Sequence, residues 1–139
     1  MKIAVDCEFN GFGGELISMA LVSEDGREWY EVLSLPDEID PWVETNVIPK
    51  LNKQPSDFLD LPFFKASFQE FVGGFDKPTI VADWYTDLVH FFSLFAGEHH
   101  GESFHKPLNV ELLADVSDFS PEVPHNALSD AKAILKAVL

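Results

Sequence analysis

The sequence predicts an α/β protein, with a mixed five-stranded sheet flanked by helices. Three observations carry this. Three apolar segments follow one another at the N-terminus over short connections, as an antiparallel meander requires. The apolar period then changes from two to that of a helix, and two further strand segments are set between helices. The composition, 46% hydrophobic with thirteen Phe and three Trp among 139 residues, supplies one core and excludes disorder of the charged, aromatic-poor kind. The length fits one domain over residues 1–139.

In order along the chain, Ile3 to Phe9 reads as a strand and Asn10-Gly11-Phe12-Gly13-Gly14 as a loop. Leu16 to Val22 is a second strand, Ser23-Glu24-Asp25-Gly26 a turn, and Glu28 to Leu33 a third strand by its alternation. Asp40-Pro41 starts a helix, with Asp as cap and Pro at the first helical position. A loop with Pro49 and Pro55 follows. Phe64, Phe68, Phe71, Val72 and Phe75 recur at helical spacing, so Pro62 to Val72 is an amphipathic helix ended by Gly73-Gly74. Thr79 to Ala82 is a short buried strand. Leu88, Phe91, Phe92 and Phe95 mark the next helix, and Leu108 to Leu113 a fifth strand. After a loop over Ser117 to Pro124 comes a last helix, Ala127 to Leu139, with Ala131, Ile134, Leu135 and Val138 facing inward.

Charge and targeting signals narrow the function. No run approaches the roughly 18 apolar residues of a membrane span. Asp6 interrupts any signal-peptide core at the N-terminus, which points to the cytoplasm. The single cysteine, Cys7, excludes an internal disulfide framework and a Cys-rich zinc site. Nine basic against twenty-four acidic residues give a net charge of −15, which opposes non-specific binding to a polyanion. Nucleic-acid chemistry is compatible with that charge if cations neutralise an acidic site and only a short strand end is gripped.

Three constellations carry chemistry. In Asp6-Cys7-Glu8 the alternation of a strand puts both carboxylates on one face, about 7 Å apart along the strand, with Cys7 on the other. Such a pair can hold a hard cation such as Mg²⁺ or Mn²⁺; two ordinary acids at a strand end would look the same. Asp87 lies where a strand hands over to a helix, the place where α/β sheets put their sites. It would equally stabilise the helix N-terminus, and Asp83 is an equal candidate. The third is His125-Asn126-Ala127-Leu128-Ser129-Asp130, opening the last helix. His125 lies just before the helix, free to swing over a site, and Asp130 projects from its second turn; a capping role for His125 or Asn126 is the alternative.

A strand-borne Asp-x-Glu, a middle Asp at a strand-to-helix junction and a late His-x-x-x-x-Asp, in that order, resemble the DEDDh 3′–5′ exonucleases of the RNase H-like superfamily. The βββ-α-β-α-β-α order matches that fold over essentially the whole chain, and the segment from Asp6 to Val22 looks most like the compact bacterial and phage exoribonuclease branch. The resemblance implies that Asp6, Glu8, Asp87 and Asp130 hold two Mg²⁺ or Mn²⁺ ions and that His125 is the general base, since an imidazole exchanges protons near neutral pH. It implies an exonuclease that releases nucleoside monophosphates from the 3′ ends of single-stranded RNA or DNA, RNA being favoured. By resemblance too, Phe9, Asn10 and Gly11, with Phe12, and Asp83, Trp84 and Tyr85 bind the terminal nucleotide, aromatic faces stacking on a base; core packing is the alternative for these aromatics. Many family members carry Asn at the position of Asp83.

The remaining features are read more plainly. His99-His100 and His105 sit in a polar loop without a Cys partner or helical pairing, and read as solvated. Lys50, Lys53 and Lys65 are the local basic cluster, read as surface. Two rivals to the exonuclease are a phosphodiesterase of very short oligonucleotides and a non-catalytic nucleic-acid-binding module. The apolar end Val138-Leu139 must be buried somewhere, and a homodimer would do it.

Overall fold

The computed structural model describes residues 1–113 and 123–139. Of the loop expected over 117–124, residues 117–122 therefore lie outside the described residues. Five strands form one sheet in the order β3-β2-β1-β4-β5: β1 (Lys2–Phe9), β2 (Leu16–Ser23), β3 (Glu28–Val32), β4 (Thr79–Ala82) and β5 (Asn109–Leu112). The first three pair antiparallel as the expected meander, while β4 runs parallel to β1, and β5 parallel to β4. Four helices flank the sheet: α1 (Pro41–Asn46), α2 (Leu61–Gly73), α3 (Tyr85–Ser93) and α4 (Ala127–Val138). This α/β architecture is consistent with an RNase H-like fold.

The two faces of β1 are packed differently. Ile3, Val5 and Cys7 join Met19, Leu21, Trp29 and Ile80 under the phenylalanines of α2 and α3. Phe rings pack edge-to-face on this side, such as Phe68 against Phe91 at 5.0 Å. The opposite face offers small residues instead. Ala4 and Ala20, with Val22 and Val81, let α4 come close through Ala127, Ala131, Ile134 and Leu135. Continuing along that same face past Ala4 come Asp6 and Glu8, so the alternation that buries Ala4 under α4 aims both carboxylates towards the start of α4.

Three differences from the expected elements have local causes. Pro49 and Pro55 start two short 3₁₀ turns, Ile48–Lys50 and Pro55–Asp57, because a proline-fixed φ favours a turn where its missing N–H costs nothing. α3 ends at Ser93, before Phe95, because the backbone N–H groups of Leu94 and Phe95 close tighter bonds to Phe91 and Phe92. Phe92 is exposed at its end, while Phe91 and Leu94 are buried. A bulge also interrupts the ladder between Glu8 and Phe9: Glu8 faces Ser18 but Phe9 faces Leu16. At the C-terminus Val138 packs against the α4 side of the core, while Leu139 remains exposed.

Candidate metal and active site

The site forms where two neighbouring parallel strands end. β1 delivers Asp6 and Glu8. β4 stops at Ala82, the chain turns over the edge of the sheet through Asp83 and Trp84, and α3 begins with Asp87 in its first turn. From the other face α4 brings Asp130, which lies in its first turn rather than the second. The carboxylate oxygens fall into two groups, Asp6–Glu8–Asp130 and Asp6–Asp83–Asp87, each with its oxygens within 4.8 Å of one another. Asp6 belongs to both. Carboxylates from three separate stretches of the chain thus converge on Asp6, and all four expected from the sequence are among them.

Burial makes this concentration of charge costly. Asp6 is only 9% exposed and Asp87 only 3%. Burial, then the charges of Asp87, Glu8, Asp130 and Asp83, pushes Asp6 well above the usual carboxylate range. Burial does the same to Glu8, helped by the charge of Asp130, and to Asp87, helped by the charge of Asp83 and opposed by the Cys7 backbone N–H. Asp83 is raised by burial. Asp130 is raised by burial too, but contact with Glu8 and the neighbouring His125 hold it down. Among the described residues no Lys or Arg pairs with these acids; the ion pairs all lie elsewhere. Asp6 Oδ2 is buried without a hydrogen-bond partner among them. A buried anionic oxygen left unpaired costs several kcal/mol in order of magnitude, and hard divalent cations are the partners that oxygen-only sites satisfy. The donor set therefore fits Mg²⁺ or Mn²⁺ held by carboxylates.

Local sequence explains why each group stands where it does. Asn126 caps α4, its Oδ1 accepting from the Ser129 backbone N–H at 3.0 Å. Its Nδ2 donates to the Lys50 carbonyl at 2.8 Å and reaches the Tyr30 hydroxyl, which itself donates to the Leu51 carbonyl. This ties the start of α4, and with it Asp130, to the sheet and to the turn after α1. His125 precedes the cap with φ 67°, in the left-handed region, where His is tolerated better than most residues. Its ring meets the Trp42 indole edge-on, centroids 5.1 Å apart. Trp42 rides on α1, whose first backbone N–H groups are capped by the Asp40 carboxylate as expected.

The residues expected around a terminal nucleotide separate into two kinds. Phe9 packs against the core and His90, ring centroids 5.3 Å apart. Asn10 uses both ends of its amide on the segment before α1, donating to the Glu38 carbonyl and accepting from the Asp40 N–H. Gly11 has φ 78°, and a Cβ there would press on the Asp40 carboxylate, so this loop is held flush against α1. Phe12, by contrast, is 91% exposed, and Trp84 and Tyr85 are half-exposed with centroids 5.5 Å apart. Two features escaped the sequence reading. Trp42 sits off the buried Val43–Val47 face of its short helix, and that offset was the available signal. The Asn126–Tyr30 tie joins residues 96 apart, which no local pattern shows.

No known family model matches the chain. Two curated proteins, each called a 3′-5′ exoribonuclease and both from Mycobacterium tuberculosis (strains CDC 1551 / Oshkosh and ATCC 25618 / H37Rv), are 46% identical to it over 55 residues. The match covers 37% of this chain and 33% of either relative. The matched chain thus spans about a third of the length of these relatives.

Proposed function

We propose that the protein is a metal-dependent 3′–5′ exonuclease that shortens single-stranded nucleic acid from its end, with RNA the favoured substrate. The observation that carries this reading is the convergence of Asp6, Glu8, Asp87 and Asp130 around a buried, unpartnered carboxylate oxygen, with His125 at the rim. The partial likeness to two exoribonucleases supports the choice of nucleic acid, and of RNA, over other phosphodiesters. In this reading Asp6, Glu8 and Asp130 hold one ion, while Asp6 and Asp87 hold the other.

Divalent ions held by these carboxylates would supply Lewis-acid activation of water and neutralisation of developing negative charge. The chain's own groups do the rest. His125, at the mouth beside Asp130, takes the proton of the attacking water at an imidazole nitrogen. Trp42 packs against that ring and fixes its orientation. The exposed rings of Phe12, Trp84 and Tyr85 offer faces on which a terminal base stacks. Asn10 and Gly11 shape the pocket wall by holding their loop against α1. The test is hydrolysis of a 5′-labelled single-stranded oligomer in Mn²⁺ and in EDTA. Stepwise loss from the 3′ end only with metal is expected; full activity after exhaustive chelation would overturn the reading.

A further inference from the structure

We propose that Asp83 is a direct ligand of the second divalent ion, so that the chain builds a three-carboxylate position, Asp6–Asp83–Asp87, able to fill before nucleic acid arrives. This rests on the two-ion reading above and specifies it. The oxygens of these three residues lie within 4.8 Å of one another, the same closeness as in the Asp6–Glu8–Asp130 group. Ligands of one octahedral Mg²⁺ at 2.0–2.1 Å stand about 3 Å apart when adjacent and about 4 Å apart when opposite. Only a small inward rotation of the side chains is therefore needed.

A second observation points to a ligand. Asp6, shared by both groups, is nine-tenths buried, and its Oδ2 has no hydrogen-bond partner among the described residues. No ion pair of the described residues reaches it. A cation seated between Asp6, Asp83 and Asp87 would lie against the carboxylate that carries this oxygen.

Other roles for Asp83 fit less well. It does not cap α3: the cap is Trp84, and among the described residues no side chain accepts the first N–H groups there. Against a phosphate it would face like charge, and Asp87 beside it would add to the repulsion. An ion between Asp83 and a phosphate turns the same carboxylate into an attractive contact. Asp6 is shared with the other position, so Asp6 and Asp87 alone would supply less than the two negative charges that balance a divalent ion; Asp83 makes up the difference without a phosphate oxygen.

The experiment is a Mn²⁺ titration of the full chain without nucleic acid, read by calorimetry and by the loss of the free-ion electron paramagnetic resonance signal. Two ions per chain are expected. Asp83→Asn should keep one unchanged and weaken the other by at least about tenfold, the scale on which altered metal shells lose affinity. Its melting temperature in EDTA should equal or exceed that of the native chain, because one member of a repelling cluster is neutralised; Asp83→Ala provides the same readout should the Asn variant fold poorly. Two ions held with unchanged affinity by Asp83→Asn would overturn the proposal, as would a single ion in the native chain. No Mn²⁺ binding at all by the native chain would instead overturn the two-ion reading on which it stands.

Discussion

His125 holds a backbone conformation that costs a non-glycine residue about 1 kcal/mol, and such strain concentrates where geometry serves function. Asn tolerates the same region. His125→Asn is therefore expected to leave the melting temperature and Mn²⁺ affinity nearly unchanged while cutting turnover by about 10²–10⁴-fold, the usual worth of a general base. An unchanged rate would leave His125 as a turn residue only. Asp130→Asn should lower both turnover and Mn²⁺ affinity, because Asp130 meets Glu8 and Asp6 as well as His125. The acids themselves set a pH dependence. Glu8 and Asp87 are pushed up to about 8, chiefly by burial, from an ordinary carboxylate range near 4. A group that holds its proton more tightly folded than unfolded favours folding below its unfolded pKa, and that contribution disappears as pH rises through the folded value. In EDTA the melting temperature should thus fall between about pH 5 and pH 8. Saturating Mn²⁺ should raise it most at the upper end, where the carboxylates are free to bind. A metal-free melting temperature flat across that range would show that burial does not hold these carboxyls protonated in the folded chain.

At the level of elements, the strands and helices were legible because their periods were clean. Thr79–Ala82 and the Asp40 cap fell where the pattern placed them, and Asp6 and Glu8 shared a face because alternation leaves no choice. What the pattern could not show was anything set by contact between distant elements. The bulge after Glu8 depends on how β2 pairs, not on the residues of β1. The two-sided role of Asp6, between a group on α4 and a group before α3, needs both helices in place. The phenylalanines give the same lesson: Phe64, Phe68 and Phe91 are core while Phe12 is solvent-facing, a distinction that composition alone does not draw. Asn126 is the clearest case of an element fixed by a long-range tie. It caps α4 and also bonds Lys50 and Tyr30. Asn126→Ala removes a cap and leaves the part-buried Lys50 carbonyl short of its donor, so a loss of about 1–2 kcal/mol is expected in urea unfolding. Because α4 carries Asp130, turnover should fall along with stability. Wild-type stability in this variant would mean that α4 is positioned by its apolar face alone.

Taken whole, the molecule carries a net charge of −15, yet it folds so that three of its lysines share one groove. Lys50, Lys132 and Lys136 line a cavity of about 710 Å³ with Pro49, Asn52 and the outer side of α4. The sequence grouped Lys50 with Lys53 and Lys65 instead, but Lys53 pairs with Glu31 and Lys65 donates to the Ala96 carbonyl. The groove borders Asn126 and Ser129, so it adjoins the end of α4 that carries the site. Its reach is limited: Lys132 already pairs with Glu28 at 3.2 Å. A strand leaving the site would therefore meet at most three ammonium groups before facing an acidic surface. Each phosphate contact on a single strand contributes about 0.7 to the logarithmic salt slope, so the slope should not exceed about 2. Binding energy should accordingly concentrate at the terminal nucleotides, through metal coordination and stacking. Shortening a single-stranded oligomer from about twenty to about four nucleotides should change kcat/KM little, because only two or three phosphates are held. Blunt duplexes should be poor substrates, since their ends must unstack before a base enters. The measurement is kcat/KM against oligomer length and against monovalent salt at fixed Mn²⁺. A slope well above 2, or a large gain with length, would mean that a second basic surface meets the strand, as it would if two copies of the chain bound one substrate together.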